Sequence, residues 1–348
     1  MMARAHWPRT MRVAVLRGPG DVAVAEADVP QPGPGELLVR VRACGICSSD
    51  LMDWYIKQKA PFVFGHEPAG EVAAVGEGVT GFKPGDRVVV HHHAPCLECE
   101  ACRRGDVVHC AVWREPALIP GGMAEYAVVA RQAVRHDTWR MPDHLSFEEG
   151  TLVEPLACVV KGLDRAGFAP GMRVLVVGLG FVGQIFGFLL RRLGAAHLAG
   201  SDLVPKRLAL AEQHWADAIY DASKQTPPGE AFDLVVVTPA SPRAMVSGAA
   251  AVRRGGKLLL FAPTPPDELV PFPVYDLFFR EITLVTSYSA GPGEMRRALE
   301  HVAAGVLPAS LLITHRFPLQ EVAEAYRTAH DIHNALKVIV TMEAGDDA

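Results

Sequence analysis

The chain has 348 residues, 49% hydrophobic and 21% charged, with a formal net charge of −5 at pH 7. That length exceeds what one hydrophobic core usually organises, so two domains are expected, and the composition excludes a disordered chain. The mildly acidic balance gives no electrostatic reason to expect nucleic acid as a partner.

The start, Met1 to Leu16, carries no apolar signal region and no cleavage pattern, which points to a cytoplasmic protein with its seven cysteines reduced. Clustered cysteines then read as metal ligands rather than disulfides. Met11 opens the first strand-like run, so residues 1–10 read as an extension or a misassigned start. Short strands follow over 11–16, 21–29 and 36–44, separated by the Pro/Gly-rich run 31–35. Leu37 to Arg42 alternates with period two, as a half-exposed strand should.

That strand leads into Cys44-Gly45-Ile46-Cys47-Ser48-Ser49-Asp50, and Phe64-Gly65-His66-Glu67 comes soon after. Thiolate, imidazole and carboxylate together suit zinc. Residues 69–90 continue as strands and turns, making this half mostly β. Next, Cys96, Cys99, Cys102 and Cys110 are spaced C-x2-C-x2-C-x7-C. Four thiolates so placed can wrap one tetrahedral zinc within a single lobe, about 95–111, leaving no position open for substrate. Glu98 and Glu100 inside the lobe would repel phosphate, which argues against a DNA-reading finger.

Residues 147–170 read as helical, with Ser146 as cap and Glu148 and Glu149 in the first turn. From residue 172 apolar strands alternate with helices, which implies a parallel sheet covered on both faces. Val174 to Leu190 contains no charge, but its four glycines and Gln184 disfavour a membrane helix. After the strand comes Gly178-Leu179-Gly180-Phe181-Val182-Gly183, which opens a helix, the context that gives G-x-G-x-x-G its meaning. The first glycine permits a tight turn, the second lets backbone approach a pyrophosphate, and the third lets helix pack on strand. The helix N-terminus then faces the phosphates. Asp202 ends the next strand, 19 residues after Gly183, where a carboxylate accepts from both ribose hydroxyls and repels a 2′-phosphate. NAD is therefore expected over NADP. Arg207 reads as a helix-surface residue, with a phosphate ligand as its alternative role.

Taken in order, CGICSSD, GHEPAGEV, the four-cysteine lobe, VEPLAC and the glycine loop resemble the zinc-dependent medium-chain dehydrogenase family over residues 11–343. The resemblance implies an α/β protein: a GroES-like β-rich catalytic domain (1–155 and 291–348) plus a doubly wound Rossmann domain with a parallel sheet (156–290). It implies a catalytic zinc on Cys47, His66 and Glu154, the last as in the polyol and threonine dehydrogenase branch, with Glu67 as alternate ligand. Ser49 would take the substrate proton, and Asp50 would hydrogen-bond the far nitrogen of His66. Cys44 and Cys158 remain as packing thiols. Many relatives carry a relay histidine where this chain has Met52, which cannot carry protons; Asp53 is the substitute to consider.

By alignment with the family, His92 falls where pocket side chains lie. Strand alternation would send neighbours in His91-His92-His93 to opposite faces, so the three should not share an ion. The expectation is two zinc per chain, NAD and a small alcohol substrate (polyol, sugar or amino-polyol), in a homodimer or homotetramer with no membrane or nucleic-acid partner. The alternatives are an NADP-linked glucose-type dehydrogenase and a non-catalytic NAD- and zinc-binding protein.

Overall fold

A computed structural model describes residues 7–342. Residues 1–6 of the suspected extension lie outside them, and the first strand, Thr10–Gly18, begins one residue before Met11. Contacts divide the chain into Met1–Ala157 with Ala290–Gly305 and Ala309–Ala348, and Cys158–Ser289 with Val306–Pro308. The first break falls inside the helix Val153–Ala166, after residue 157 rather than 155.

The first unit is built on a sheet ordered Ile313–Pro318, Lys337–Thr341, Leu37–Gly45, Glu67–Val75, Arg87–Val90, Thr138–Arg140. Its pairs are antiparallel except the first, which is parallel. Leu37–Gly45 is less exposed than its alternation implies. Only Arg40 reaches solvent fully, because Leu37, Val39 and Val41 enter one apolar cluster while Leu38 enters another with Val13 and Val128. Register then places the tail beside the cysteine loop: Ile339 pairs with Gly45 and Val340 with Cys44. Arg87–Val90 ends before His91, and the chain bends at His92. The triple histidine is therefore not in a strand, and the alternation argument does not apply to it.

The second unit holds six parallel strands ordered Ala218–Asp221, His197–Asp202, Arg173–Val177, Phe232–Val237, Val252–Leu260, Thr283–Thr286. Leu234 to Val237 are wholly buried, as near-continuous apolar strands in a covered parallel sheet should be. The uncharged stretch from Val174 is split by the glycine turn into that sheet's strand and the helix Phe181–Arg192. Among the described residues no helix is long and apolar enough to cross a membrane. The expected helix over 147–170 is two, Phe147–Gly150 and Val153–Ala166. Ser146 caps the first, its hydroxyl accepting from Glu149 N at 3.1 Å.

Candidate metal centre and dinucleotide site

Cys47, His66 and Glu67 converge in the first unit, one donor atom from each lying within 4.8 Å of the others. Two unlike segments make this possible. Cys47 caps the short 3-10 turn Ser48–Leu51, and His66 directly precedes the strand that Glu67 opens. Gly45 supplies the space, because a Cβ there would sit 1.9 Å from Glu67 Oε2. That oxygen meets the ammonium of Lys337 in a pair buried on both sides, while Oε1 has no hydrogen-bond partner. Lys337 also donates to Ile46 O at 3.0 Å. A thiol, an imidazole and an orphaned carboxylate oxygen converging in a buried setting fit zinc.

Asp50 is buried beside His66, but the contact differs from the one expected. Its Oδ1 lies 3.6 Å from His66 Nδ1, an ionic approach rather than a hydrogen bond, while Oδ2 accepts from Cys47 N at 3.3 Å. The Asp50 carbonyl accepts from Tyr326 Oη at 2.8 Å, which fixes the turn. Burial disfavours a charged His66, yet Asp50, Cys47 and Glu154 outweigh it and hold its pKa well above the usual value. Burial also raises the Asp50 and Glu154 carboxyls and the Cys44 thiol. Ser49 is half-buried in the same turn, Met52 ends it, and Asp53 is exposed.

Glu154 was the expected third ligand and Glu67 the alternate. The structure groups Glu67 with Cys47 and His66, whereas Glu154 has its carboxylate within 4.8 Å of ring nitrogens of His91 and His92. The His66 and His92 rings lie 4.8 Å apart, so the two groups adjoin. His91 is wholly buried with Nδ1 2.7 Å from Asp137 Oδ2. His93 stacks on Trp113, ring centres 3.8 Å apart, and burial pushes its pKa down to about 3.

In the cysteine lobe, sulfur–sulfur separations are 3.5 Å for Cys99–Cys102 and Cys96–Cys110 and 4.0 Å for Cys96–Cys102. A tetrahedral zinc with 2.3 Å bonds needs about 3.8 Å between sulfurs, so the lobe fits the ion. Backbone amides of Glu98 and Cys99 donate to Cys96 Sγ at 3.5 and 3.3 Å, stabilising a thiolate and lowering its pKa to about 6.

The glycine loop lies in the second unit. Gly178 has φ +85°, and a Cβ on Gly183 would lie 1.9 Å from Gly178 O, so turn and packing both require glycine. A Cβ on Gly180 would meet nothing nearer than Arg207 at 3.5 Å, which leaves that side open for a phosphate. Phe181 and Val182 form the first helical turn, both half-buried. Asp202 is already engaged by backbone: Oδ2 accepts from Leu179 N at 2.5 Å and Oδ1 from Val204 N at 2.8 Å. Arg207 is not a helix-surface residue. Its guanidinium folds back to 3.8 Å from Asp202 at the mouth of the loop.

Residues 33–143 match the alcohol dehydrogenase GroES-like domain family and 182–304 the zinc-binding dehydrogenase family. The sorbitol dehydrogenase of Bacillus subtilis (strain 168) is 31% identical over 96% of this chain and 98% of its own. The chain belongs to the zinc-dependent medium-chain dehydrogenases. Among solved structures, a zinc-binding dehydrogenase of Sinorhizobium meliloti 1021 bound to NADP superposes with TM-score 0.86 at 28% identity, over 96% of this chain and all of that one. L-idonate 5-dehydrogenase of Escherichia coli K-12 gives 0.84 at 25% identity, over 96% and 98%. This medium-chain dehydrogenase is thus an oxidoreductase, a zinc-dependent alcohol or polyol dehydrogenase with GroES-like and Rossmann parts. Lys337, Gly45 and Asp137 escaped the sequence reading; the one signal was a lysine inside the apolar strand Lys337–Thr341.

Removing one partner of the buried Glu67–Lys337 pair strands the other charge. Lys337→Met should lower unfolding free energy by about 3 kcal/mol in urea titration, and adding Glu67→Gln should recover most of the loss. A silent single variant would show that the pair does not hold the centre.

Proposed function

We propose that this dehydrogenase oxidises a secondary alcohol of a polyol, sugar or amino-polyol to the ketone, reversibly, with NAD. The observation that carries the reading is the convergence of Cys47, His66 and Glu67 beside a polar wall of His92, His93 and Glu154. Such a wall suits a substrate with several hydroxyls better than a simple alkanol. When bound, zinc lowers the pKa of a substrate hydroxyl so that a neutral-pH enzyme can deprotonate it. Asp50 accepts from the Cys47 amide and stands against His66, while Ser49 in the same turn takes up the hydroxyl proton. Met52 blocks the next relay step, so the proton leaves Ser49 by another route. Gly178, Gly180 and Gly183 would hold the pyrophosphate of a dinucleotide, whose nicotinamide would supply the hydride acceptor when bound. The relatives named sorbitol and L-idonate 5-dehydrogenase support this substrate class.

An NADP-linked reading has one observation of its own: the Arg207 guanidinium beside Asp202, in a fold shared with a relative solved with NADP. Asp202, buried and held by two amides, keeps negative charge at the ribose edge and favours NAD. All seven cysteines are free thiols, in keeping with a reducing cytoplasm. For the partner, Tyr275, Phe278 and Phe279 are 79%, 73% and 60% exposed next to the edge strand Thr283–Thr286. An unpaired strand edge flanked by aromatics suits a second copy of the chain in a homodimer or homotetramer.

Purified enzyme should carry two zinc per chain by metal analysis, and a panel of polyols, sugars and amino alcohols should include one that yields NADH. Cys47→Ala should abolish turnover while leaving fold and NAD binding in place; unfolding instead would mean the two zinc sites have been interchanged. Asp202→Ser should narrow the NAD:NADP ratio of kcat/KM at least about tenfold, roughly 1.4 kcal/mol, while also weakening NAD through the lost loop contacts. Phe278→Asp should shift the sedimenting species to a smaller one, and an unchanged size would remove this face from the interface.

A further inference from the structure

Beside the centre already described lies a second group of donors. His91, His92 and Glu154 bring one ligand atom each within 4.8 Å of one another. The chain allows this because the strand stops at Val90 and bends, turning two consecutive imidazoles the same way. His91 is set up as metal-ligating histidines are. Its Nδ1 meets Asp137 Oδ2 at 2.7 Å, and Asp137 Oδ1 is itself fixed by Trp139 Nε1 at 2.9 Å. The His91 backbone amide also donates to Asp137 O at 3.1 Å, so ring and main chain are tied to one residue. That leaves Nε2 as the nitrogen free to face a ligand. It is buried without a hydrogen-bond partner, in a side chain of zero exposure. His92 Nδ1 is likewise buried and unpartnered.

Charge points the same way. Asp50, Glu67, Asp137 and Glu154 are all buried around these rings, and Lys337 is the ammonium buried with them.

We propose that His91, His92 and Glu154 form a second divalent-metal position, held in place by Asp137, beside Cys47, His66 and Glu67. The donor set is two imidazoles and a carboxylate, the class that takes zinc or cobalt with a fourth position open. Having no thiolate, it binds more weakly than the other two sites and fills on titration rather than surviving purification. Adjacency to the first centre, with the His66 and His92 rings 4.8 Å apart, suits a substrate bearing oxygens on neighbouring carbons.

The test is a Co2+ titration of the purified enzyme after exchange of its resident zinc, read by stoichiometry and by absorption. Wild type should take a third equivalent that adds ligand-field bands but no thiolate charge-transfer band. His92→Ala, at a half-buried position, should lose that equivalent and keep two. Asp137→Asn should weaken it about 10–100-fold while circular dichroism stays native. Cys47→Ser should remove a different equivalent, one with charge-transfer intensity, and keep the third. Saturation at two equivalents in wild type would overturn the proposal. So would loss of both from Cys47→Ser alone, which would make the six residues one site. Absence of turnover with every alcohol tested would bear on the proposed reaction and leave this count untouched.

Discussion

A carboxylate and an ammonium meet in the interior of the first unit, and the geometry of the metal centre follows from that pair. Glu67 has one oxygen committed to Lys337 and the other without a hydrogen-bond partner, and its carboxylate lies within 4.8 Å of ligand atoms of Cys47 and His66. The ammonium reaches it because the tail strand is registered on the cysteine loop, Ile339 opposite Gly45. Without that register Glu67 would be an isolated buried anion, and such a group sheds its charge rather than pays the desolvation cost.

The same economy of charge governs the neighbourhood. Two of these histidines have a carboxylate on the Nδ1 side: Asp50 for His66 and Asp137 for His91. A carboxylate there favours the tautomer with a bare Nε2 and raises its basicity toward a cation. Glu154 stands close by, its carboxylate within 4.8 Å of ring nitrogens of His91 and His92. The site is thus a compact field of alternating sign rather than three ligands on a neutral scaffold.

What the chain disclosed in advance was whatever is written locally. Cys47, His66, the cysteine lobe and the glycine loop are short spacings whose chemistry needs no knowledge of the rest of the fold. The grouping of Glu67 with Cys47 and His66 was not local, because the Glu67 carboxylate is met by a lysine 270 positions further on. Asp137 was hidden for the same reason, 46 positions from His91. The triple histidine misled because β-type residues run up to Val90 and nothing in the pattern marks where the strand stops. Asp202 was located correctly at the strand end, but both its oxygens are occupied by the amides of Leu179 and Val204, which only a folded loop can present.

The stacked rings of His93 and Trp113 carry a consequence for how the protein ages. Trp113 belongs to the small apolar nucleus of the cysteine lobe, together with Val108 and Cys110. His93 packs against His92, ring centres 4.0 Å apart. Oxidation of the lobe's sulfurs would therefore loosen a tryptophan against which the His93 ring rests. Damage to the lobe would thus be felt first at His93 and, through it, at His92.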